Sequence, residues 1–331
     1  MKTVIKRADE SAIEEAVHLL KSGEIVALPT ETVYGLACNT LDSTAITKVF
    51  AAKNRPQDNP LIVHVADENM LREFGLCLGG LFETFVPNFW PGPLTAICIK
   101  TREIIPPEIS CGLKTVAVRV PDSPIMLEII KRCGFPLAAP SANLSGSPSP
   151  TTAQHVFDDL QGRIPLILDG GACSVGLEST VIDCETVLHG PEVILILRPG
   201  AVTPEMLSKF AAVEVDNIVL EKAAGIESAR SPGTIHKHYS PKAEVVAVIA
   251  ESRDTFWDYV NRSFGIYGND TYSIIENPEM QTLFAKFREC DRVGVKRIFV
   301  RLPQPEGVGL ALYNRIIRAA EFNIVKALDR K

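Results

Sequence analysis

The chain has 331 residues and a formal net charge of -6, and 46% of its residues are hydrophobic against 22% charged. This balance is typical of a globular enzyme and excludes a disordered or fibrous protein, while the length favours two domains over one compact core. Because the chain is acidic overall, a nucleic acid would have to bind a local basic patch.

The cysteine pattern and the distribution of apolar residues indicate the cellular compartment of the protein. The eight cysteines form no CxxC pair and no Cys/His cluster with zinc-finger spacing, so we expect buried, reduced thiols. The N-terminus turns charged before an apolar signal core forms, and no apolar run approaches the ~18 residues of a membrane span. These features predict a cytoplasmic protein.

The first predicted elements lead into a polar segment. Ser11 and Glu14 form a capping-box pattern for a helix that ends at Gly23, and a short apolar strand follows over 24–28. That strand runs directly into 29–36, which reads PTETVYGL. Ligands collect at the ends of strands in open α/β sheets, so this segment is the first candidate binding site.

A second helix brings two cations next to this segment. Asp42 or Ser43 caps the helix, and Pro56 prevents it from continuing. Lys53 would lie in the last turn and Arg55 just beyond it. Close cations suit an anionic ligand, although a lysine in a last helical turn also complements the helix dipole.

Two predicted strands carry polar residues among apolar neighbours. Strand 61–65 contains His64, and strand 115–120 contains Arg119. A strand histidine is more often packed than catalytic. A buried arginine pairs with a carboxylate or phosphate, so Arg119 either binds a ligand or forms an ion pair with one of the chain's own acids.

A long loop rich in Ser, Asn, Gly and Pro, APSANLSGSPSPTT (139–152), follows a short strand at 136–138. Thr151 and Gln154 would cap the next helix, which runs through Leu160. Such a loop is either a flexible linker or a source of backbone and hydroxyl donors for phosphates.

The remaining elements predict two α/β domains joined by a linker. Further strands are expected at 95–100, 165–169, 178–184 and 193–198, then a helix starting at Thr203 and Pro204, then, in the second domain, strands at 244–250, 271–276 and 297–301, helices at 254–262 and 280–289, and a last helix over 309–328. The predicted boundaries are 1–210 for the first domain, 211–241 for the linker and 242–331 for the second domain. The first sheet is expected to end near Phe210.

No P-loop, GxGxxG, GxSxG, HExxH or EF-hand pattern occurs in the sequence. What remains is a set of cations and hydroxyls suited to a polyphosphate and a small carboxylate, namely Lys53, Arg55, Arg119, Arg198, Thr32, Ser141 and Ser179.

The sequence contains, in this order, the motifs PTETVYGL, KNRP with NPLIVHV, WPGPLT, VAVRVP, APSANLSG, GLESTVID, LRPG and SPG…HYSP. The same motifs occur in the same order in the YrdC-type L-threonylcarbamoyladenylate synthases, and the chain resembles that family. The segment GLALYNRIIRAA near the end looks like the extra domain of the longer, two-domain members. The linker SPGTIHKHYSP departs from the family's SPGMKYxHYAP-like pattern at Thr234, Ile235 and His236.

The resemblance implies a fold and a reaction. The fold would be a YrdC-like twisted mixed sheet with helices and a concave basic cavity, a linker, and a small Rossmann-like α/β C-terminal domain. The enzyme would be a nucleotidyltransferase that makes threonylcarbamoyl-AMP and pyrophosphate from L-threonine, bicarbonate and ATP. The carboxylate of N-carboxythreonine would attack the α-phosphorus of ATP, and Mg²⁺ would be held mainly by the phosphates, without protein side chains as ligands.

The resemblance also implies partners and site residues. The product would pass to downstream threonylcarbamoyl-transferase proteins and, through them, to tRNA. Lys53 and Arg55 would be catalytic, and Tyr239 would fold over the nucleotide and exclude water. ATP would bind Arg55, Asn59, Thr115, Ser141, Asn143, Ser149, Arg198 and Tyr239, and threonine would bind Thr32, His64, Arg119 and Ser179.

Two other classes of function fit some of the same features. An RNA-binding module could use the same basic cavity, although the acidic net charge counts against it. Hydrogenase-maturation proteins, which transfer carbamoyl groups, share the YrdC-type fold, but their acylphosphatase-like and zinc-finger segments are not found in this sequence.

Overall fold

A computed structural model describes residues 1–78, 83, 86–183, 193–221, 238–267 and 271–328. The strands are Val4–Arg7 (β1), Val26–Leu28 (β2), Gly35–Asn39 (β3), Ile62–His64 (β4), Leu76–Cys77 (β5), Leu94–Lys100 (β6), Thr115–Arg119 (β7), Leu137–Ala138 (β8), Leu166–Asp169 (β9), Thr180–Asp183 (β10), Val193–Arg198 (β11), Ala212–Val215 (β12), Glu244–Ile249 (β13), Tyr272–Ile275 (β14), Arg297–Arg301 (β15) and Ile324–Lys326 (β16). The helices are Glu10–Lys21 (α1), Ser43–Lys53 (α2), Glu68–Glu73 (α3), Pro107–Ser110 (α4), Pro124–Cys133 (α5), Ala153–Leu160 (α6), Pro204–Leu207 (α7), Arg253–Tyr267 (α8), Leu283–Arg292 (α9) and Val308–Ala319 (α10).

The described strands form two sheets, as expected for a two-domain α/β protein. The first is a mixed sheet of 12 strands in the order β1-β9-β2-β3-β8-β4-β7-β6-β10-β11-β12, with β5 paired to β6. The second is a parallel sheet of four strands in the order β14-β15-β13-β16. Neither strand order follows from the chain order, because many neighbours in the sheet are distant in sequence.

Two predicted helix caps are wrong by one or two residues. Asp9, in extended backbone, accepts a hydrogen bond from the Ala12 amide and caps α1, so Ser11 lies inside the first turn instead of capping it. Thr152, not Thr151, caps α6, and its Oγ1 accepts from the His155 amide at 3.3 Å. The Gln154 side chain donates to Asp158 and closes no capping box.

Other local predictions are confirmed. Asp42 caps α2 by accepting from two amides, and Asn54 ends that helix in the left-handed conformation, with φ of 52°. Thr203 caps α7, whose first residue is Pro204.

The turn between β2 and β3 places the PTET segment at the ligand end of the first sheet. These strands form an antiparallel hairpin, although no strand was predicted at β3. β3 pairs with β8, and the ladder extends to a bridge between Gly35 and Ser141. β4 pairs with β7 in parallel, with His64 opposite Arg119. The topology therefore gathers residues from four distant stretches of chain.

The first sheet continues beyond its predicted end near Phe210. β12 pairs with β11 in parallel and is half-exposed at the edge of the sheet. Its apolar pattern is therefore weak, as is common for edge strands. Most of the predicted linker, including Thr234, Ile235 and His236, lies outside the described residues, as does Cys184 at the end of the strand predicted over 178–184.

The last predicted helix is too long. α10 ends at Ala319, and Glu321 and Phe322 adopt positive φ values of 50° and 63°, which a helix cannot contain. The residues after them form β16, which pairs in parallel with β13. The apolar run IVKAL therefore completes a sheet instead of extending a helix.

The two domains share a packed interface. Val33 and Leu177 of the first domain belong to the apolar cluster of the second domain, together with Tyr239. A Cβ atom added at Gly176 would come within 2.5 Å of the Gln281 Cα, so the two backbones touch there. All described cysteines are free, and no described helix is long and apolar enough to cross a membrane.

Candidate active site

A cavity with an empty volume of ≈ 600 Å³, its open mouth included, lies where these chain segments converge. The lining residues are Thr30, Thr32, Val33, Gly35, Arg55, Ile62, His64, Arg119, Ala139, Pro140, Ser141, Glu178, Ser179, Arg198, His238 and Tyr239. Three arginines and one glutamate give the described wall an excess of positive charge.

Arg119 lies at the end of β7 and is held by the PTET turn. Its Nε donates to the Gly92 carbonyl at 3.0 Å, and its Nη1 donates to Thr32 Oγ1 at 2.8 Å. Its Nη2 forms a buried ion pair with Glu31. Of the two alternatives for Arg119, the ion pair with one of the chain's own acids is therefore present. Yet Arg119 also lines the cavity, and a guanidinium has more N–H donors than these contacts use.

His64 lies beside Arg119 in the neighbouring strand and is 3% exposed. Burial, with the Arg119 charge as a further cause, lowers the pKa of His64 to about 3, so the imidazole is neutral near pH 7. Its Nδ1 is buried and has no hydrogen-bond partner among the described residues. A neutral ring nitrogen at a cavity wall is suited to a hydrogen bond with a polar ligand.

A second hydroxyl and arginine pair lies at the start of β10 and the end of β11. Ser179 Oγ is 2.7 Å from Thr95 Oγ1. Arg198 donates to the Ser179 carbonyl from Nε and to Ser179 Oγ from Nη2, both at 3.1 Å. Burial lowers the pKa of Arg198, but the guanidinium stays charged at neutral pH.

Glu178 is the carboxylate of the cavity wall, and both of its oxygens are engaged. Oε1 accepts from Ser149 Oγ, and Oε2 accepts from Arg315 Nε at 2.8 Å. Burial alone would raise the pKa of Glu178, but Arg315, Arg198 and Ser149 together hold it below the ordinary value. The carboxylate is therefore ionised although it is buried.

Arg55 follows α2 and also lines the cavity. Its Nη2 donates to the Pro60 carbonyl at 2.8 Å and its Nε to the Asn59 carbonyl at 3.2 Å. Burial lowers the pKa of Arg55 to about 10, which still leaves it charged.

The Lys53 ammonium lies behind the cavity wall. It donates to the Ser141 carbonyl and, at 2.7 Å, to the Asn143 carbonyl. Burial and the nearby Arg55 charge hold the pKa of Lys53 well below its usual range. These contacts fix the loop that carries Ser141.

The structure brings eight of the predicted residues onto the cavity wall: Thr32, Arg55, His64, Arg119, Ser141, Ser179, Arg198 and Tyr239. It places five others outside the lining: Lys53, Asn59, Thr115, Asn143 and Ser149. The Asn143 amide donates to the Leu144 and Ser147 carbonyls within its own loop, and Thr115 lies at the start of β7, away from Arg119 at the other end. Their predicted contacts with ATP stay predictions.

Sequence reasoning missed the acids and the second-domain arginine of this site. Glu31 and Glu178 lie inside the motifs PTETVYGL and GLESTVID. Because the expected ligands are anionic, only cations and hydroxyls were considered as candidate site residues. Arg315 is 137 residues from Glu178. Its signal was available, because an arginine inside the apolar run ALYNRIIRAA has the same pattern that singled out Arg119.

Comparison with known proteins identifies the family. The Sua5_yciO_yrdC family model, described as "Telomere recombination", matches residues 18–200, and the model "Threonylcarbamoyl-AMP synthase, C-terminal domain" matches residues 202–321. A threonylcarbamoyl-AMP synthase of Pyrococcus abyssi is 38% identical over 98% of both chains. The chain belongs to the threonylcarbamoyl-AMP synthase family.

Further members of the threonylcarbamoyl-AMP synthase family are similar to this chain over nearly its whole length. The threonylcarbamoyl-AMP synthase of Bacillus subtilis is 36% identical, and the alignment covers 96% of this chain and 95% of that one. The crystal structure of P. abyssi Sua5 complexed with L-threonine superposes with a TM-score of 0.88 at 36% identity, covering 98% of each chain. The expected family and fold class are thereby confirmed.

Proposed function

We propose that this chain synthesises threonylcarbamoyl-AMP and pyrophosphate from L-threonine, bicarbonate and Mg·ATP. The observation that carries this proposal is the convergence of Arg55, Arg119 and Arg198 on one cavity wall. ATP, bicarbonate and the threonine carboxylate are all anionic, and bringing them together requires fixed positive charge in a site of low dielectric constant.

The threonine end of the cavity is proposed at Thr32, His64, Arg119 and Ser179. Arg119 would bind the carboxylate, since guanidinium and carboxylate make charge-assisted hydrogen bonds. Its contacts with Glu31 and Thr32 orient it before the ligand arrives. The unpartnered Nδ1 of His64 supports a hydrogen bond to the ligand.

The nucleotide end is proposed at Arg55, Ser141, Arg198 and Tyr239. Arg55 and Arg198 would stabilise the phosphates, and the Tyr239 ring would cover the nucleotide. The contacts of Asn59 with Arg55 and of Ser149 with Glu178 support indirect roles for these two residues. Lys53 and Asn143 would act by shaping the Ser141 loop, as their contacts suggest.

The reaction requires no protein nucleophile. Threonine and bicarbonate form N-carboxythreonine with loss of water. A carboxylate oxygen of N-carboxythreonine then forms a bond to the α-phosphorus as the bond to the pyrophosphate oxygen breaks. The arginines would neutralise charge on both sides of this displacement. Mg²⁺ would enter with the phosphates. Covering the site limits hydrolysis of the mixed anhydride product.

The proposal extends to where the product goes and to the domain boundaries. A carbamoyl-phosphate anhydride is short-lived, so we propose transfer in the cytoplasm to threonylcarbamoyl-transferase proteins that modify tRNA. We also propose that residues 211–241 contain the linker between a catalytic domain and a second domain.

The experiment is pyrophosphate release by the purified chain, with each substrate omitted in turn. We expect release only with threonine, bicarbonate, ATP and Mg²⁺ together, and a product with the mass of threonylcarbamoyl-AMP. Release that ignores threonine or bicarbonate, or no release at all, would overturn the proposal. Salt-dependent RNA binding without threonine-dependent release would favour the RNA-binding alternative instead.

A further inference from the structure

Arg315, in α10, is a residue of the second domain that reaches the cavity region. It is 0% exposed, although arginines are almost never fully buried unless they are paired. Its Nε donates to Glu178 across the domain interface, and its Nη1 donates to Asn314 Oδ1 at 2.7 Å. Asn314 in turn donates to the Val219 carbonyl at 2.6 Å, which ties the helix to the segment that follows β12.

The same guanidinium contacts the aromatic ring at the cavity wall. Its Cζ lies 5.0 Å from the Tyr239 ring centroid. Phe284 of α9 stacks on Tyr239, with a centroid distance of 5.6 Å and an interplanar angle of 24°. Tyr239 is 4% exposed and has a positive φ of 65°, so its place depends on these neighbours.

Glu178 is the reason that this contact bears on ligand binding. It lines the cavity, whereas Arg315 does not. A buried carboxylate facing an anionic ligand repels it unless a cation compensates the charge. Arg315 supplies that cation, so the positive charge of Arg55, Arg119 and Arg198 on the wall is not offset by Glu178.

We propose that Arg315 is a positioning residue for the nucleotide, which the second domain supplies to the active site. It holds the Glu178 carboxylate in a neutral pair, away from the phosphates, and fixes the Tyr239 ring. The proposal rests on the proposed function for the identity of the nucleotide. It assigns a role to the segment GLALYNRIIRAA and makes the second domain part of the active site.

The test compares Arg315→Met with Arg297→Met. Arg297 is a largely buried arginine of the same domain that pairs with Glu244 in the second sheet and does not line the cavity. Binding of Mg·ATP is measured by calorimetry, and KM for ATP by pyrophosphate release. For Arg315→Met we expect the dissociation constant and the KM for ATP to rise by about tenfold to a hundredfold, with a smaller change in kcat. Arg297→Met should stay within about twofold of the parent chain.

A second variant separates charge from folding. In Arg315→Met with Glu178→Gln no charge is left unpaired, so most of the ATP affinity should return; Arg315→Lys, which keeps the charge but loses the flat ring contact, should lie between. Unchanged ATP binding in Arg315→Met, an equal loss in Arg297→Met, or no recovery in the double variant would overturn the proposal. If the parent chain binds ATP but releases no pyrophosphate, the proposed function fails while the binding comparison still decides on Arg315.

Discussion

The site contains two buried arginine–glutamate pairs that are arranged in opposite ways. In the first pair, within the first domain, Arg119 lines the cavity and Glu31 lies behind it. In the second pair, across the domain interface, Glu178 lines the cavity and Arg315 lies behind it. One pair presents a positive charge to the ligand, and the other cancels a negative charge near it. The comparison shows that the sign of the residue on the wall, more than the presence of an ion pair, decides what each pair contributes.

Breaking the first pair should have the largest effect. Arg119→Met removes the proposed carboxylate partner and leaves Glu31 buried without its cation, so the free energy of unfolding should fall by about 3–5 kcal/mol. Denaturant titration measures this loss, and pyrophosphate release should become undetectable. A stable, active Arg119→Met variant would contradict the role given to this pair.

Arg55 tests the positive charge of the wall without involving either pair. Arg55→Ala should cost about 2–3 kcal/mol of binding to Mg·ATP, since a charge-assisted contact is lost, and leave the affinity for threonine nearly unchanged. Calorimetric titration of each ligand separately checks both parts. Equal losses for the two ligands would mean that the nucleotide and threonine ends are not distinct.

Gly176 offers a way to weaken the second pair without altering its members. In Gly176→Ala the new Cβ would meet the Gln281 backbone at 2.5 Å, and the positive φ of 81° adds strain. We expect a loss of about 1–3 kcal/mol in unfolding free energy and a higher KM for ATP. Gly112→Ala is the matched control, because Gly112 has a φ of 79° with nothing within 4 Å of the added Cβ. An identical KM for ATP in both variants would show that the packing of the two domains does not affect nucleotide binding.

The smallest expected effect near neutral pH is a pH dependence from His64. Its folded-state pKa of about 3 lies below the ordinary value of 6.5, because of burial and then of Arg119. The unfolded chain therefore binds more protons between these values, and the contribution to stability is complete above pH 6.5 and decreases as the pH falls. The slope should be up to about 1.4 kcal/mol per pH unit, and His64→Gln should flatten it by that amount. Parallel stability curves for the two proteins would exclude this contribution.

The chemistry of the site residues was more predictable from the sequence than their arrangement in space. Thr32, His64, Arg119 and Ser179 were predicted together from motifs, and the parallel pairing of β4 with β7 and the β2–β3 turn do bring them onto one wall. Lys53 and Asn143 were assigned to ligands on the same grounds, but their polar groups face loop carbonyls. Residue type and spacing do not reveal which way a polar group points.

The second domain shows the limit most clearly. A helix was predicted across residues 309–328, but whether its arginines face solvent or another domain depends on a docking surface that involves Val33, Leu177 and Gly176. Contacts between residues so far apart in sequence leave no local periodicity. The apolar setting of Arg315 indicated burial, and only the structure provided its partner.

The most direct test is a side-by-side measurement of pyrophosphate release by the two charge-neutral double variants. Arg119→Met with Glu31→Gln should fold stably and remain inactive, because the cation that faces the ligand is gone. Arg315→Met with Glu178→Gln should recover most of the activity lost in Arg315→Met alone, because the unpaired acid is gone. Equal activities in the two double variants, or the reverse order, would contradict the opposite roles of the two pairs.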